Sequence, residues 1–278
     1  MKLTFLTFIL SITLSLSFHV HIQKTNHKLL IKHRNYHTLK LTETNVSIEK
    51  KLTSNESLFK VLYASLWLVF TGYAFGLAPV GDPTFTQDVI QKVIAAPFDG
   101  YINPYFATIF NLLGVYPAMY ASLLLPGSKN QSVPAAPFVF GSFALGFFGL
   151  GPYLALRKRS TSGMKSNAGL GYRFFESKLS AIALLGFTAY LLYNGITSPL
   201  IDGGDKVADF ICLFSTQQIV HVSTIDFVIL TLAIWEPLHE DMVRRKWTGP
   251  SALTVSALPL FGPILYLLTR PSLSEKEE

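Results

Sequence analysis

The 278-residue chain is 50% hydrophobic and only 14% charged, with a mean hydropathy of +0.37, which excludes an ordinary soluble domain and makes a lipid bilayer the expected solvent. Its formal charge of +6 would suit a nucleic-acid binder, but residues 1–50 hold seven Lys/Arg against two Asp/Glu, leaving sixteen against fifteen for the remainder. The basicity belongs to the leader, no nucleic-acid partner is expected, and the lone Cys212 excludes a disulfide framework and reads as a small buried thiol.

Residues 1–17, MKLTFLTFILSITLSLS, place one Lys before a short apolar core and small polar residues, with Ser15 and Ser17 at −3 and −1 of a cut before Phe18. That is the layout of a signal peptide, and its core is too short to span. The following segment, to residue 50, is rich in Lys, Arg and His, and its first acid is Glu43. Together the two resemble the bipartite leader of proteins sent to plastids of secondary red-algal origin, with Phe18 as the specific cue. A plain secretory signal followed by a basic arm is the other reading.

The region 51–278 is expected to be one all-α domain, a polytopic membrane helix bundle. Six apolar windows fall at Leu58–Leu77, Tyr105–Leu125, Phe138–Leu156, Lys178–Ile196, Gln217–Trp235 and Ser251–Thr269, each long enough to cross a hydrocarbon core of about 30 Å. Two acidic connections, Thr84–Ala96 and Ile201–Ser215, carry amphipathic segments suited to a membrane surface. The halves repeat in outline, each closing on a Gly-Pro pair and an Arg: GPYLALR at Gly151–Arg157 and GPILYLLTR at Gly262–Arg270. Three helices per half would make a 3+3 inverted repeat, an architecture familiar in transporters; chance likeness between apolar strings is the alternative. With six alternating spans, ten Lys/Arg fall on one side and seven on the other, which places the N-terminus away from the stroma.

Asp226, at the centre of the fifth window, is the most informative residue. A carboxylate at that depth must face the bundle interior, find a partner or be protonated. It serves either a proton or ion relay, or an interhelical hydrogen bond, with Asn111 as candidate partner. His221, on a different face of the helix, is a hydrogen-bonding residue or a ligand to a pigment such as chlorophyll or haem. Glu236, His239, Glu240, Asp241, Arg244 and Arg245 form an expected interfacial charged loop closed by the headgroup anchor Trp247. His239 with its neighbouring acids falls short of a metal site, and no GxSxG, HExxH, phosphate loop or paired Cys is present. No catalytic or metal residue is assigned.

Val222 to Pro271, with Asp226, Glu236, Arg244-Arg245, Trp247, Leu258-Pro259-Leu260, Gly262-Pro263 and Arg270-Pro271, resembles a bacterial integral-membrane domain of unknown function. The wider stretch from about Leu62, including LWLVFTGYAFGLAP and NPYFATIFNLLG, resembles uncharacterised multi-pass membrane proteins of cyanobacteria and plastids. The resemblance implies a thylakoid or inner-envelope location and brings no activity with it. The expectation is a non-enzymatic assembly or organisation factor whose partners are the bilayer and other plastid membrane proteins. A small ion- or proton-coupled transporter using Asp226 is the alternative, and an intramembrane lipid or pigment enzyme the third reading.

Overall fold

The computed structural model describes residues 56–128, 131–159 and 170–273, of residues 170–172 the backbone only. The expected leader, residues 1–50, lies outside them. All described secondary structure is helical: α1 (Glu56–Gly76), α2 (Pro83–Ala95), α3 (Pro104–Leu124), a 3-10 turn (Leu125–Gly127), α4 (Ala135–Leu145), α5 (Phe147–Leu156), α6 (Leu170–Glu176), α7 (Lys178–Thr197), α8 (Lys206–Thr216), α9 (Gln218–Ala233), α10 (Trp235–Arg244), α11 (Ala252–Ser256) and α12 (Phe261–Thr269).

Four segments are long and apolar enough to cross a membrane: α1, α3 with its 3-10 turn, α7, and the near-continuous α9–α10 run from Gln218 to Arg244. The central element is α3, whose apolar window is 67% buried, against 22% for α1 and 28% for α7. The outer faces of α1 and α7 therefore carry apolar side chains such as Leu68, Phe75, Leu179 and Tyr193 outward, as lipid contact requires.

The windows Phe138–Leu156 and Ser251–Thr269, the other two of the six expected spans, are each formed by two shorter helices and not by a single one. The first is a hairpin of α4 and α5, arms of 11 and 10 residues and so about 15 Å long each, half of a hydrocarbon core. Its bend is Gly146, at φ +54°, a conformation open to glycine and strained for other residues. Gly149 lets the arms close, since a Cβ there would lie 3.2 Å from the backbone of Gly141 and Ser142. The base closes through Gln131, whose amide donates to Lys158 O (2.5 Å) and accepts from Lys158 N (2.7 Å). The second hairpin joins the short α11 to α12 through Leu260, at φ 63°, and Arg245 near its start donates to Pro271 O at its end (2.8 Å). Each hairpin leaves one end of the bundle and returns to it.

Arg157 and Arg270, which close the two hairpins, consequently reach neighbouring carboxylates on α10, Glu240 and Asp241. An inverted repeat would send them to opposite ends. Both halves instead run long helix, amphipathic helix, long helix, hairpin, in the same sense. The amphipathic helices both sit at the other end and both open on an aspartate cap, Asp82 accepting from Thr84 N (2.9 Å) and Asp205 from Val207 N (2.8 Å). They differ in burial: Val89 and Val93 of α2 join a core with Ile102, Phe106 and Val220, whereas α8 only lays the half-buried Phe210, Leu213 and Phe214 against it. Cys212, on α8, is therefore exposed, not the buried thiol expected.

Prolines remove backbone donors, and at three of them a side chain supplies the replacement. Pro152 cannot donate to Phe148 O, and the Trp67 indole does so instead (3.0 Å); Gly151 makes the room, because a Cβ there would meet the Trp67 ring. Pro237 frees Ala233 O, which accepts from the Tyr63 hydroxyl (3.0 Å). Pro126 frees Ser122 O, which accepts from the Arg270 guanidinium (2.8 Å). In an apolar solvent each of these carbonyls would otherwise go unsatisfied.

Candidate functional site: a buried ion network and a docked hairpin tip

The residues expected to form an interfacial loop form helix α10, and most of them are buried: Glu236, Glu240, Asp241, Arg244 and Arg245 are all 7% exposed or less. Helical spacing puts Glu236, Glu240 and Arg244 on one stripe, where Arg157 bridges the two like-charged acids, and Pro237 stands in the first turn, where its fixed φ suits the helix. His239 lies off that stripe, half-buried, with Trp235 beside its ring.

Arginines from two other segments converge on these acids and join the two at the end of α10 itself. Glu236 accepts from Arg157 Nη2 (2.5 Å) and Arg159 Nε (2.7 Å). Glu240 pairs with Arg157 and with Arg244 Nη2 (2.9 Å). Asp241, fully buried, accepts from Arg244 Nη1 (2.8 Å), Arg245 Nε (2.8 Å), Arg270 Nη1 (2.9 Å) and the Tyr266 hydroxyl (3.0 Å). Glu176, at the end of α6, takes both terminal nitrogens of Arg245 (2.6 and 2.8 Å) and one of Arg270 (3.1 Å). Arg244 also donates to Leu123 O (3.2 Å), so with Arg270 it caps the C-terminus of α3, where a cation is favoured. Five arginines and four carboxylates thus tie both hairpin ends, α3 and α10 into one knot. Arg157, Arg159, Glu176, Arg270 and Tyr266 were not foreseen as site residues. The signal was the Arg closing each Gly-Pro element, which marks a buried cation only once the hairpins bring both to α10.

Asp226 lies at the hairpin tip, 4% exposed. Its partner is not Asn111 but the backbone N–H of Phe147, which donates to Oδ1 at 2.9 Å. Phe147 is the first residue of α5, and its amide has no acceptor within its own helix because Gly146 breaks the chain there. Asp226 therefore caps a helix across the bundle. A Cβ at Gly146 would collide with the same carboxylate. Asn111 instead donates to Ala107 O (2.8 Å) and Val93 O (3.1 Å), pinning α2 to α3.

His221 sits at the opposite end from the ion network. Its Nε2 shares a hydrogen bond with the Tyr73 hydroxyl (2.7 Å), its Nδ1 bonds Phe214 O (2.8 Å), and its ring stacks on Phe214 at 4.3 Å. A metal-bearing pigment would have to displace Tyr73 to reach Nε2. His221, Asp226 and the ion network are separate along the bundle, and no group of three or more His, Cys, Asp or Glu among the described residues is arranged to hold a metal.

The two ends differ in charge. The hairpin end carries Lys60, Arg157, Lys158, Arg159, Arg173, Lys178, Arg244, Arg245, Lys246 and Arg270, with Glu56, Glu176, Glu236, Glu240 and Asp241. The other end carries Asp82, Asp88, Asp99, Asp202, Asp205 and Asp209, with Lys92 and Lys206. No protein-family model matches the chain, and no curated protein or solved structure matches it.

Proposed function

We propose that this chain is a non-enzymatic, multi-pass membrane scaffold with four spans, built from a parallel repeat in which each half contributes two spans, a surface helix and a re-entrant hairpin. The observation that carries this reading is how the buried carboxylates of the bundle are committed: Asp226 to the first hairpin's tip, and Glu236, Glu240 and Asp241 to arginines that fasten both hairpins. Each is spent on fixing one helix against another, which is what an organising element needs and a carrier's mobile site does not. With ten Lys/Arg at the hairpin end and two at the other among the described residues, the hairpin end belongs on the side from which the protein is inserted. The N-terminus of α1 then also lies on that side, the reverse of the six-span expectation. The leader's resemblance to a bipartite plastid signal supports a thylakoid or inner-envelope membrane, with the basic end towards the stroma.

The test is native-gel fractionation of the membranes that hold the protein, combined with mild detergent extraction and weighing of what co-purifies. A scaffold migrates in an assembly larger than itself and leaves that assembly reduced when it is deleted. Migration as a free monomer, with every membrane complex intact in the deletion strain, would overturn the reading.

The carrier reading keeps one specific observation in its favour, the meeting of a broken helix and a carboxylate deep in the bundle, where such proteins hold ions. Liposome uptake by the parent and by Asp226→Asn separates the two: a gradient-driven flux lost in the variant establishes the carrier, and equal rates for every ion tried remove it.

A further inference from the structure

Among the described residues of the hairpin end, the acids are paired with cations and the cations that remain face outward. Glu236, Glu240 and Asp241 are buried against arginine, Glu176 holds two arginines, and Glu56 is paired with Lys60 at 2.6 Å. Lys158, Arg173, Lys178 and Lys246 are exposed and form no ion pair with a described residue. The internal network is itself nearly balanced, five arginines against four acids, so the charge it leaves on the described surface of this end is predominantly positive.

These cations are also placed at an apolar boundary. Leu156 is 56% exposed and lies two residues before Lys158; Phe174 (52%) follows Arg173, Leu179 (69%) follows Lys178, and Val243 (45%) precedes Lys246 by less than a helical turn. A ring of cations interleaved with outward apolar side chains matches the depth at which acyl chains meet headgroups. The opposite end has the contrary character. Its six aspartates outnumber its lysines, and Lys206 is turned inward onto Ile196 O (2.6 Å) and Ser198 O (3.1 Å).

We propose that Lys158, Arg173, Lys178 and Lys246 form a binding rim for anionic lipid headgroups in the leaflet at the hairpin end, and that the acidic end selects against them. The ligand chemistry is a phosphate- or sulfonate-bearing glycerolipid whose charge meets the rim while its chains lie along α5, α6 and α7. The rim rests on the membrane reading alone and is independent of the scaffold role.

The test uses the full-length protein, extracted and reconstituted in bilayer discs of phosphatidylcholine with a minor fraction of phosphatidylglycerol. Lipids retained on release are counted by native mass spectrometry. The parent should hold phosphatidylglycerol in excess of its share in the disc, with a preference that falls as salt rises. Lys158→Gln, Arg173→Gln, Lys178→Gln and Lys246→Gln combined should abolish the excess, each single substitution reducing the preference about fivefold, the equivalent of about 1 kcal/mol. Asp88→Asn with Asp202→Asn, at the acidic end, should leave the excess intact or raise it. If the combined variant does not fold, the pair Lys158→Gln and Lys246→Gln carries the test. Retention in proportion to disc composition by the parent, or an undiminished excess in the rim variants, overturns the proposal, and neither result would touch the native-gel evidence on the scaffold.

Discussion

The two hairpins leave and return to the same end of the bundle, yet they are fastened in different places. The first, α4–α5, is held at both extremities: Asp226 caps its tip through the Phe147 amide, and Arg157 with the Gln131–Lys158 pair holds its base. The second, α11–α12, has only local bonds at its bend, Phe261 N to Pro259 O (2.7 Å) and Gly262 N to Leu258 O (2.9 Å). Its bend also carries a leucine at φ 63° and ψ −64°, a γ-turn conformation that costs about 1–3 kcal/mol. Its anchorage is at the base, where Arg270 enters the Asp241 knot. The lesson concerns the bend itself. The returning arms are alike in length, ten residues in α5 and nine in α12, but Gly146 leaves the Phe147 amide to be capped from α9, whereas the amides of Phe261 and Gly262 find acceptors within their own turn.

The sharpest way to break this comparison is sidedness, which is all or none. With the hairpins as described, Ser128→Cys and Lys158→Cys are labelled by an impermeant thiol reagent from one face of the membrane and the native Cys212 from the other. If Phe138–Leu156 spans instead, Ser128→Cys labels with Cys212 and Lys158→Cys is opposite.

Next in size is the base of the second hairpin. Asp241→Ala leaves three arginines clustered without their shared acceptor, and breaking a buried pair of this kind costs about 3–5 kcal/mol. The variant should lose its monodisperse peak on size-exclusion in detergent and accumulate poorly, while Lys246→Ala, exposed nearby, keeps the parent's elution profile and accumulation.

The tip of the first hairpin should be worth less. Asp226→Leu strands the Phe147 amide at a cost of about 1–3 kcal/mol, and Asp226→Asn, which keeps an acceptor oxygen, should unfold near the parent's temperature in detergent. Trp67→Phe, which strips Phe148 O of its donor, should fall in the same range. Equal thermal stability of Asp226→Leu and the parent would remove the tip as an anchor and make the two hairpins alike.

The smallest effect lies at the far end. The Thr84 hydroxyl, followed by the Thr84 amide, holds the exposed Asp82 carboxyl below its ordinary 3.8. A depressed folded value adds stability above the unfolded pKa and loses it as pH falls through the folded one. Amide protection at the start of α2 should therefore decline only below about pH 4, and Asp82→Ala should lower it at neutral pH and remove that decline.

Several of these features were legible residue by residue. The four long helices follow from apolar runs of about twenty residues, and α2 and α8 from Asp caps placed before amphipathic stretches. Asp226 announced itself by depth. Its partner did not, because a backbone amide carries no signature in sequence; Asn111 was the nearest polar side chain that composition offered, and it is used elsewhere. The α10 cluster was misread as a loop because charge density at the end of an apolar run usually means water, and the four-residue spacing of Glu236, Glu240 and Arg244 was the signal that it did not.

What the sequence by itself determined is the solvent, the helical class and the positions of the breaks, since hydropathy, proline and glycine act through local physics. Whether a nineteen-residue apolar window crosses or turns back was decided only by tertiary structure. At Gly146 both outcomes satisfy hydropathy equally, and the choice falls to the hairpin because Asp226, eighty residues away in the chain, supplies the acceptor that the broken helix lacks. The same holds for charge. Sequence counts five arginines and four acids, but only the return of both hairpins to one end makes them neighbours, and in a medium of low dielectric their mutual neutralisation is the condition for burying them at all.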